Sequence, residues 1–226
     1  MNTSMNTTLL RCGAVSLALA LLSAQSCSNE KGEYQFSTDW TSPHAEGWAR
    51  VLEEFKGKPN VHALEIGSWE GRSAIWFLEN ILTGSRSTMS CIDTFHWGRG
   101  VENRFDWNIK VSGKSRQVIK LKGMSQEILR TLEDGYYDFI YVDGCHRAAC
   151  TLTDVVMSYY LLKPGGLMIL DDYLYAEHRP PVERPQMAID AFLEAFGPHV
   201  ELVEKSYQVV VRKKDAEIGL GISIDP

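Results

Sequence analysis

The chain has 226 residues, 44% of them hydrophobic and 23% charged, which is enough for one buried core after a short leader and too little for a second full domain. Its formal net charge is -6, and its densest basic run is only Arg212, Lys213 and Lys214. That balance excludes a broad electrostatic grip on a nucleic-acid backbone.

Residues 1–29 read as a leader. From Met1 to Ser28 there is no acid and Arg11 is the one base, and the stretch CGAVSLALALLSA leads into polar sequence. This apolar run is too short for a stable membrane-spanning helix but has the length of a secretion-signal core. Ala24-Gln25-Ser26 offers small residues for cleavage and Cys27 a thiol for lipid attachment, so the leader points to export or to membrane association. Cys12, Cys27, Cys91, Cys145 and Cys150 make no zinc spacing and indicate no disulfide framework; Cys91, within an apolar run, reads as a buried free thiol.

Residues 30–226 then read as one domain. PHAEGWARVLEEF (43 to 55) has the spacing of an amphipathic helix. VHALEI (61 to 66) predicts a strand, Gly67 to Gly71 a turn, and GRSAIWFLENIL a helix. Further strands are predicted at TMSCID (88 to 93), QVIKLKG (117 to 123), DFIYVD (138 to 143) and GLMILD (166 to 171), with helical patterns between most of them. A long helix is expected from Cys145 to Leu162, stopped by a turn at KPGG, and a last one at MAIDAFLEAFG. HVELVEKSYQVVVRKK gives two strands too close together for a crossover, hence an antiparallel pair. The fold class is α/β, five parallel strands with helices on both faces and a terminal antiparallel hairpin.

Ligands of such sheets bind beyond the carboxyl ends of the strands, where the first turn belongs. Its spacing is G-x-x-x-G rather than the G-x-G-x-x-G of pyrophosphate binders, and Glu65 closes the strand before it. A carboxylate there repels a diphosphate and favours a ligand carrying an ammonium and a sulfonium. Asp93 ends the second strand, where an acid can accept the two hydroxyls of a ribose. A nucleoside with a cationic tail and no pyrophosphate describes S-adenosylmethionine.

On LEIGSWEGRSA, CIDTF, DFIYVDGCH and LLKPGGLMILDD, in that order, the chain from about Val61 to Arg212 resembles the class I S-adenosylmethionine-dependent methyltransferases. Within them it is most similar to the small-molecule O-methyltransferases of the cephalosporin-tailoring and macrolide-sugar group. The resemblance implies a Rossmann-like, seven-stranded sheet with the last strand antiparallel. It also implies that Glu65, Gly67, Ser68, Gly71 and Ser73 line the methionine part of the cofactor, that Asp93 holds its ribose, and that Ser125 and Gln126 border its adenine.

Asp143 and the pair Asp171 and Asp172 end the fourth and fifth strands on the edge that carries the glycine turn. Three carboxylates there repel one another unless a hard divalent cation such as Mg²⁺ sits between them, and in related metal-dependent enzymes these positions hold the metal. His146 stands three residues after Asp143, where catechol-type enzymes carry a lysine base. An imidazole can take the proton of an acceptor hydroxyl, so Asp143 and His146 are the expected catalytic pair. His96, Trp97, Trp107 and YLYAEHRPP read as aromatic loops over this edge, with a small molecule as acceptor. Two rival readings are a non-catalytic scaffold that keeps the fold and an NAD-dependent oxidoreductase, the latter needing a third glycine where Arg72 stands. The cofactor's supply favours the cytoplasm and the leader favours export.

Overall fold

Period-two and period-3.6 patterning sorts the sequence into seven strands and six helices over the residues that the computed structural model describes, 32–214 together with Met1. The leader, with Cys12, Cys27 and the cleavage and lipid-attachment signals, lies outside the described residues. No described helix is long and apolar enough to cross a membrane.

In chain order the elements are α1 (Ala45–Val51), β1 (His62–Ile66), α2 (Arg72–Asn80), β2 (Thr88–Asp93), α3 (Val101–Ser112), β3 (Val118–Lys122), α4 (Ser125–Ile128), β4 (Tyr137–Val142), α5 (Ala148–Leu161), β5 (Leu162–Leu170), α6 (Pro185–Phe196), β6 (Val200–Lys205) and β7 (Val209–Lys213). The sheet order is β3-β2-β1-β4-β5-β7-β6. Strands β1 to β5 are mutually parallel, and β7 runs antiparallel between β5 and β6. The strand order therefore reverses between β1 and β4, which puts the turn after β1 and the loop after β4 side by side at the switch point.

Alternation along the central strands divides the core in two. Ala63, Phe139, Tyr141 and Ile169 face Trp48 of α1, Phe77 of α2 and Phe105 of α3, while Leu64, Ile66, Ile140 and Val142 face Val155 and Tyr159 of α5 and Phe192 of α6. Strands buried on both faces read as continuous apolar runs, which is why they stood out in the sequence.

Three expectations need correction. The KPGG segment is not a turn: it opens β5, where the register against β4 slips between Tyr137 and Phe139. Gly166 is required there because a Cβ would stand 2.8 Å from the Asp138 carbonyl oxygen. Trp107 lies on α3 rather than in a loop, and its indole donates to the Glu33 carbonyl at 2.9 Å. Cys145 and Cys150 are joined by a disulfide with their Cα atoms 5.9 Å apart, a pairing across the start of α5 that cysteine spacing alone did not announce.

Candidate active site

The turn after β1 is built by close backbone approach. Gly67 has φ 93°, and a Cβ there would fall 2.1 Å from the carbonyl oxygen of Asp143, so the two lips of the switch point touch. Gly71, at φ 81°, caps α2 in the left-handed region. Between them Trp69 also takes a positive φ of 47°, and its amide donates to Asp93 Oδ2 at 2.8 Å. The Phe95 amide donates to Asp93 Oδ1 at 2.6 Å, which fixes Asp93 beside the turn.

Glu65 lies beneath this turn on the α2 face of the sheet, fully buried, between Cys91 on β2 and Tyr141 on β4. Ser73 Oγ donates to its Oε1 at 2.5 Å, while Oε2 has no partner. Burial pushes its carboxyl up to about 7, against the lowering pull of the Ser73 hydroxyl bonded to it. Ser68 Oγ, Trp69 Nε1 and Arg72 Nε are likewise buried without partners. Four unpaired polar atoms in one turn are the mark of a surface shaped for a polar ligand, since each costs the free protein stability.

An open cleft leads to this turn, lined by Gly67, Ser68, Trp69, Arg72 and Ser73 on one side and by Phe36, Trp40, Tyr141 and Asp143 on the other. The N-terminal strap carrying Phe36 and Trp40 was not anticipated in the sequence. It is pinned by Glu70, only 1% exposed, which accepts from the Ser37 amide at 2.6 Å, the Ser37 hydroxyl at 2.7 Å and Arg104 Nε at 2.5 Å. Arg72 sits 4.2 Å over the Phe36 ring. Burial works against the charge of Glu70, yet Ser37 and Arg104 hold its carboxyl below the usual range. A depressed acid contributes stability above its unfolded pKa and loses it as pH falls through its folded one. Glu70→Gln is expected to cost about 1 to 3 kcal/mol in chemical denaturation at pH 7 and to leave the variant less sensitive to acid.

Beyond β4 and β5, one donor atom each of Asp143, His146 and Asp172 lie within 4.8 Å of one another, a donor set that fits a divalent cation. His146 Nε2 is 2.9 Å from Asp172 and 3.8 Å from Asp143. Asp143 first and then Asp172 push the imidazole up to about 10. Of the three acids expected here, Asp143 and Asp172 belong to this set and Asp171 stands beside it, sharing the Tyr141 hydroxyl with Asp143. Asp171 shares the sheet face of Ile169 and Tyr141, accepts from the Tyr141 hydroxyl, and takes the Asp172 amide on its other oxygen at 2.7 Å. Asp172 reaches the cluster because its backbone is left-handed, at φ 61°. After β3, Gln126 donates to the buried Asp154 at 2.8 Å, while the other oxygen of that carboxylate has no partner. Of the aromatic loops, Tyr175 packs 5.0 Å from the His146 ring, whereas Trp97 stacks on His96 and is largely exposed.

Residues 64–173 match the model of a family described as a methyltransferase domain. No curated protein matches the chain. Among solved structures, the chain is similar to an O-methyltransferase from Bacillus cereus in complex with SAH, at 16% identity and TM-score 0.61, over 79% of this chain and 84% of that one. It is also similar to the O-methyltransferase TomG from Streptomyces achromogenes, involved in tomaymycin synthesis and solved with SAM, at 15% identity and TM-score 0.60, over 78% and 82% of the two chains. The sequence match covers the glycine turn, Asp93, Asp143 and both acids after β5, and the strand order is that of the fold found in these structures. Residues 64–173 thus carry a methyltransferase domain, and the chain has the Rossmann-like fold of S-adenosylmethionine-dependent methyltransferases.

Proposed function

We propose that the protein methylates a hydroxyl of a small molecule, with a divalent cation on the acceptor side of the cleft. The observation that carries this reading is one cleft that joins the glycine turn above the unpaired buried acid Glu65 to Asp143, the first member of the Asp143, His146 and Asp172 cluster. S-adenosylmethionine would supply an electrophilic methyl on its sulfonium, and the cation would acidify the acceptor hydroxyl. The remaining work is positioning by the chain's own residues, which can supply several kcal/mol of the acceleration.

Glu65 offers its free oxygen to the cationic amino acid end, and Asp93 offers the second lone pairs of its amide-braced oxygens to the ribose hydroxyls. Asp143 and Asp172 hold the cation beside the cleft. Trp69 and the strap aromatics Phe36 and Trp40 wall the cleft from water. Ser125 and Gln126 stand at the adenine end, where Gln126 holds one oxygen of the Asp154 carboxylate. The acidic composition and the absence of a long basic run support a small molecule rather than a nucleic acid as acceptor.

Calorimetric titration of the full chain with S-adenosylmethionine tests this reading, and micromolar binding is expected. A folded sample that binds none, or that binds NAD in its place, would sink it. Asp93→Ala is expected to weaken binding by about 1 to 3 kcal/mol, and an unchanged affinity would remove Asp93 from the ribose.

A further inference from the structure

We propose that the cation site is completed by His146 rather than by Asp171, and that it therefore takes a first-row transition dication such as Mn²⁺ or Co²⁺ in preference to Mg²⁺. The inference rests on the metal reading above and adds to it the identity of one donor and the class of ion.

Three features of the cluster carry the inference. First, each of the two outward carboxylates has one oxygen beside a phenol hydroxyl and the other turned to the cluster. Tyr207 donates to Asp172 Oδ1 at 2.9 Å, with Oδ2 turned to His146, and the Tyr141 hydroxyl, shared with Asp171, stands 3.1 Å from Asp143 Oδ2, with Oδ1 on the His146 side. Outer hydrogen bonds of this kind orient metal ligands. Second, both oxygens of Asp171 are already engaged, by Tyr141 and by the Asp172 amide, and the residue is only 8% exposed. Bringing it onto a cation would break its contact with the Asp172 amide, which sets the turn that carries Asp172 to the cluster. Third, His146 Nε2 occupies the place that Asp171 leaves, 2.9 Å from Asp172 Oδ2 and 3.8 Å from Asp143 Oδ1. Neighbouring ligands on an octahedral ion with bonds of about 2.1 Å stand about 3.0 Å apart, so only the Asp143 side needs to draw in.

The donor set decides the ion. Mg²⁺ prefers oxygen and keeps its waters, whereas imidazole suits the borderline first-row ions, for which affinity rises along the series from Mn²⁺. Asp172 spends a left-handed backbone conformation on reaching the cluster, a strain more usual at functional positions than at plain surface ion pairs.

The test uses the full chain stripped with a chelator and titrated separately with Mn²⁺, Co²⁺ and Mg²⁺. Pulsed electron paramagnetic resonance of the Mn²⁺ complex reads nitrogen ligation directly, without any turnover. Binding of Mn²⁺ and Co²⁺ at least tenfold tighter than Mg²⁺ is expected, with a directly coordinated ¹⁴N signal. His146→Ala should lose that signal and most of the preference while its Mg²⁺ affinity stays within threefold, and Asp171→Asn should keep both. Cation binding without nitrogen coupling, an unaltered His146→Ala variant, or loss of binding in Asp171→Asn overturns this inference alone and leaves the metal reading standing. A folded protein that binds none of the three ions overturns both.

Discussion

Glu65→Gln is expected to make the ligand-free protein more stable and its cofactor binding weaker. Raising a buried carboxyl from 4.5 to about 7 means that, above pH 7, the folded state carries an ionised Glu65 at a cost of about 3 kcal/mol. The sign follows from proton counting. Between pH 4.5 and about 7 the folded protein holds a proton that the unfolded chain has released, so the Glu65 contribution to stability is greatest below 4.5 and falls as pH rises through this window. A glutamine retains an acceptor for Ser73 Oγ and has no charge to desolvate. Denaturant unfolding of wild type and variant should therefore converge near pH 4.5 and separate by up to about 3 kcal/mol at pH 8. Binding should move the other way. If the free Oε2 meets a cationic group, its loss costs about 1.5 to 3 kcal/mol, roughly a 10-fold to 150-fold weaker S-adenosylmethionine complex. A variant that gains stability and binds the cofactor as tightly as wild type would show that the buried acid serves neither fold nor ligand. Stability given up at one residue and regained on binding is the pattern expected of a functional site.

What could be read from the sequence was what local geometry determines. Glu65, Gly67 and Gly71 stood out because the end of a strand and the left-handed positions of the turn after it constrain residue type on the spot. Asp93 and Asp143 were legible for the same reason, each closing or following an apolar run at the sheet's carboxyl edge. Features that depend on pairing across the chain were not. Period-two alternation sends Asp171 to the Tyr141 side, and only the left-handed backbone of Asp172 brings the next carboxylate round to His146, a conformation no pattern announces. The strap at 33–42 has neither helical nor strand period. It is held in place by Glu70, Asn108 and Arg104, all distant in sequence, with Asn108 both accepting from the Gln35 amide and donating to its carbonyl. Ser125 and Gln126 occupy the expected stretch after β3, but the Gln126 amide is paired with an acid on α5, a contact across the chain. The Cys145 to Cys150 bond escaped because spacing without a fold does not say which thiols meet.

Asp143→Ala should leave a folded, cofactor-binding protein that turns over at least about a thousandfold more slowly, a loss of about 4 kcal/mol in transition-state stabilisation. The fold tolerates the change because nothing depends on the carboxylate for support. Tyr141 keeps Asp171 as a partner, and His146 keeps Asp172 at 2.9 Å. The backbone contact between Asp143 and Gly67, which shapes the turn, involves the Asp143 carbonyl and not its side chain. Removing one of three neighbouring acids also relieves repulsion, so the unfolding midpoint of the metal-free variant should equal or exceed that of wild type. The proposed cofactor contacts, Glu65 and Asp93, lie on β1 and β2, so S-adenosylmethionine affinity should stay within a few-fold. What disappears is one of the two outward carboxylates that would hold the cation against the acceptor oxygen. Stopped turnover with intact cofactor affinity and no loss of stability separates this role from a structural one. A parallel loss of S-adenosylmethionine binding would instead place Asp143 on the cofactor, and the acceptor side of the cleft would then have to be sought around Asp172 and His146 alone.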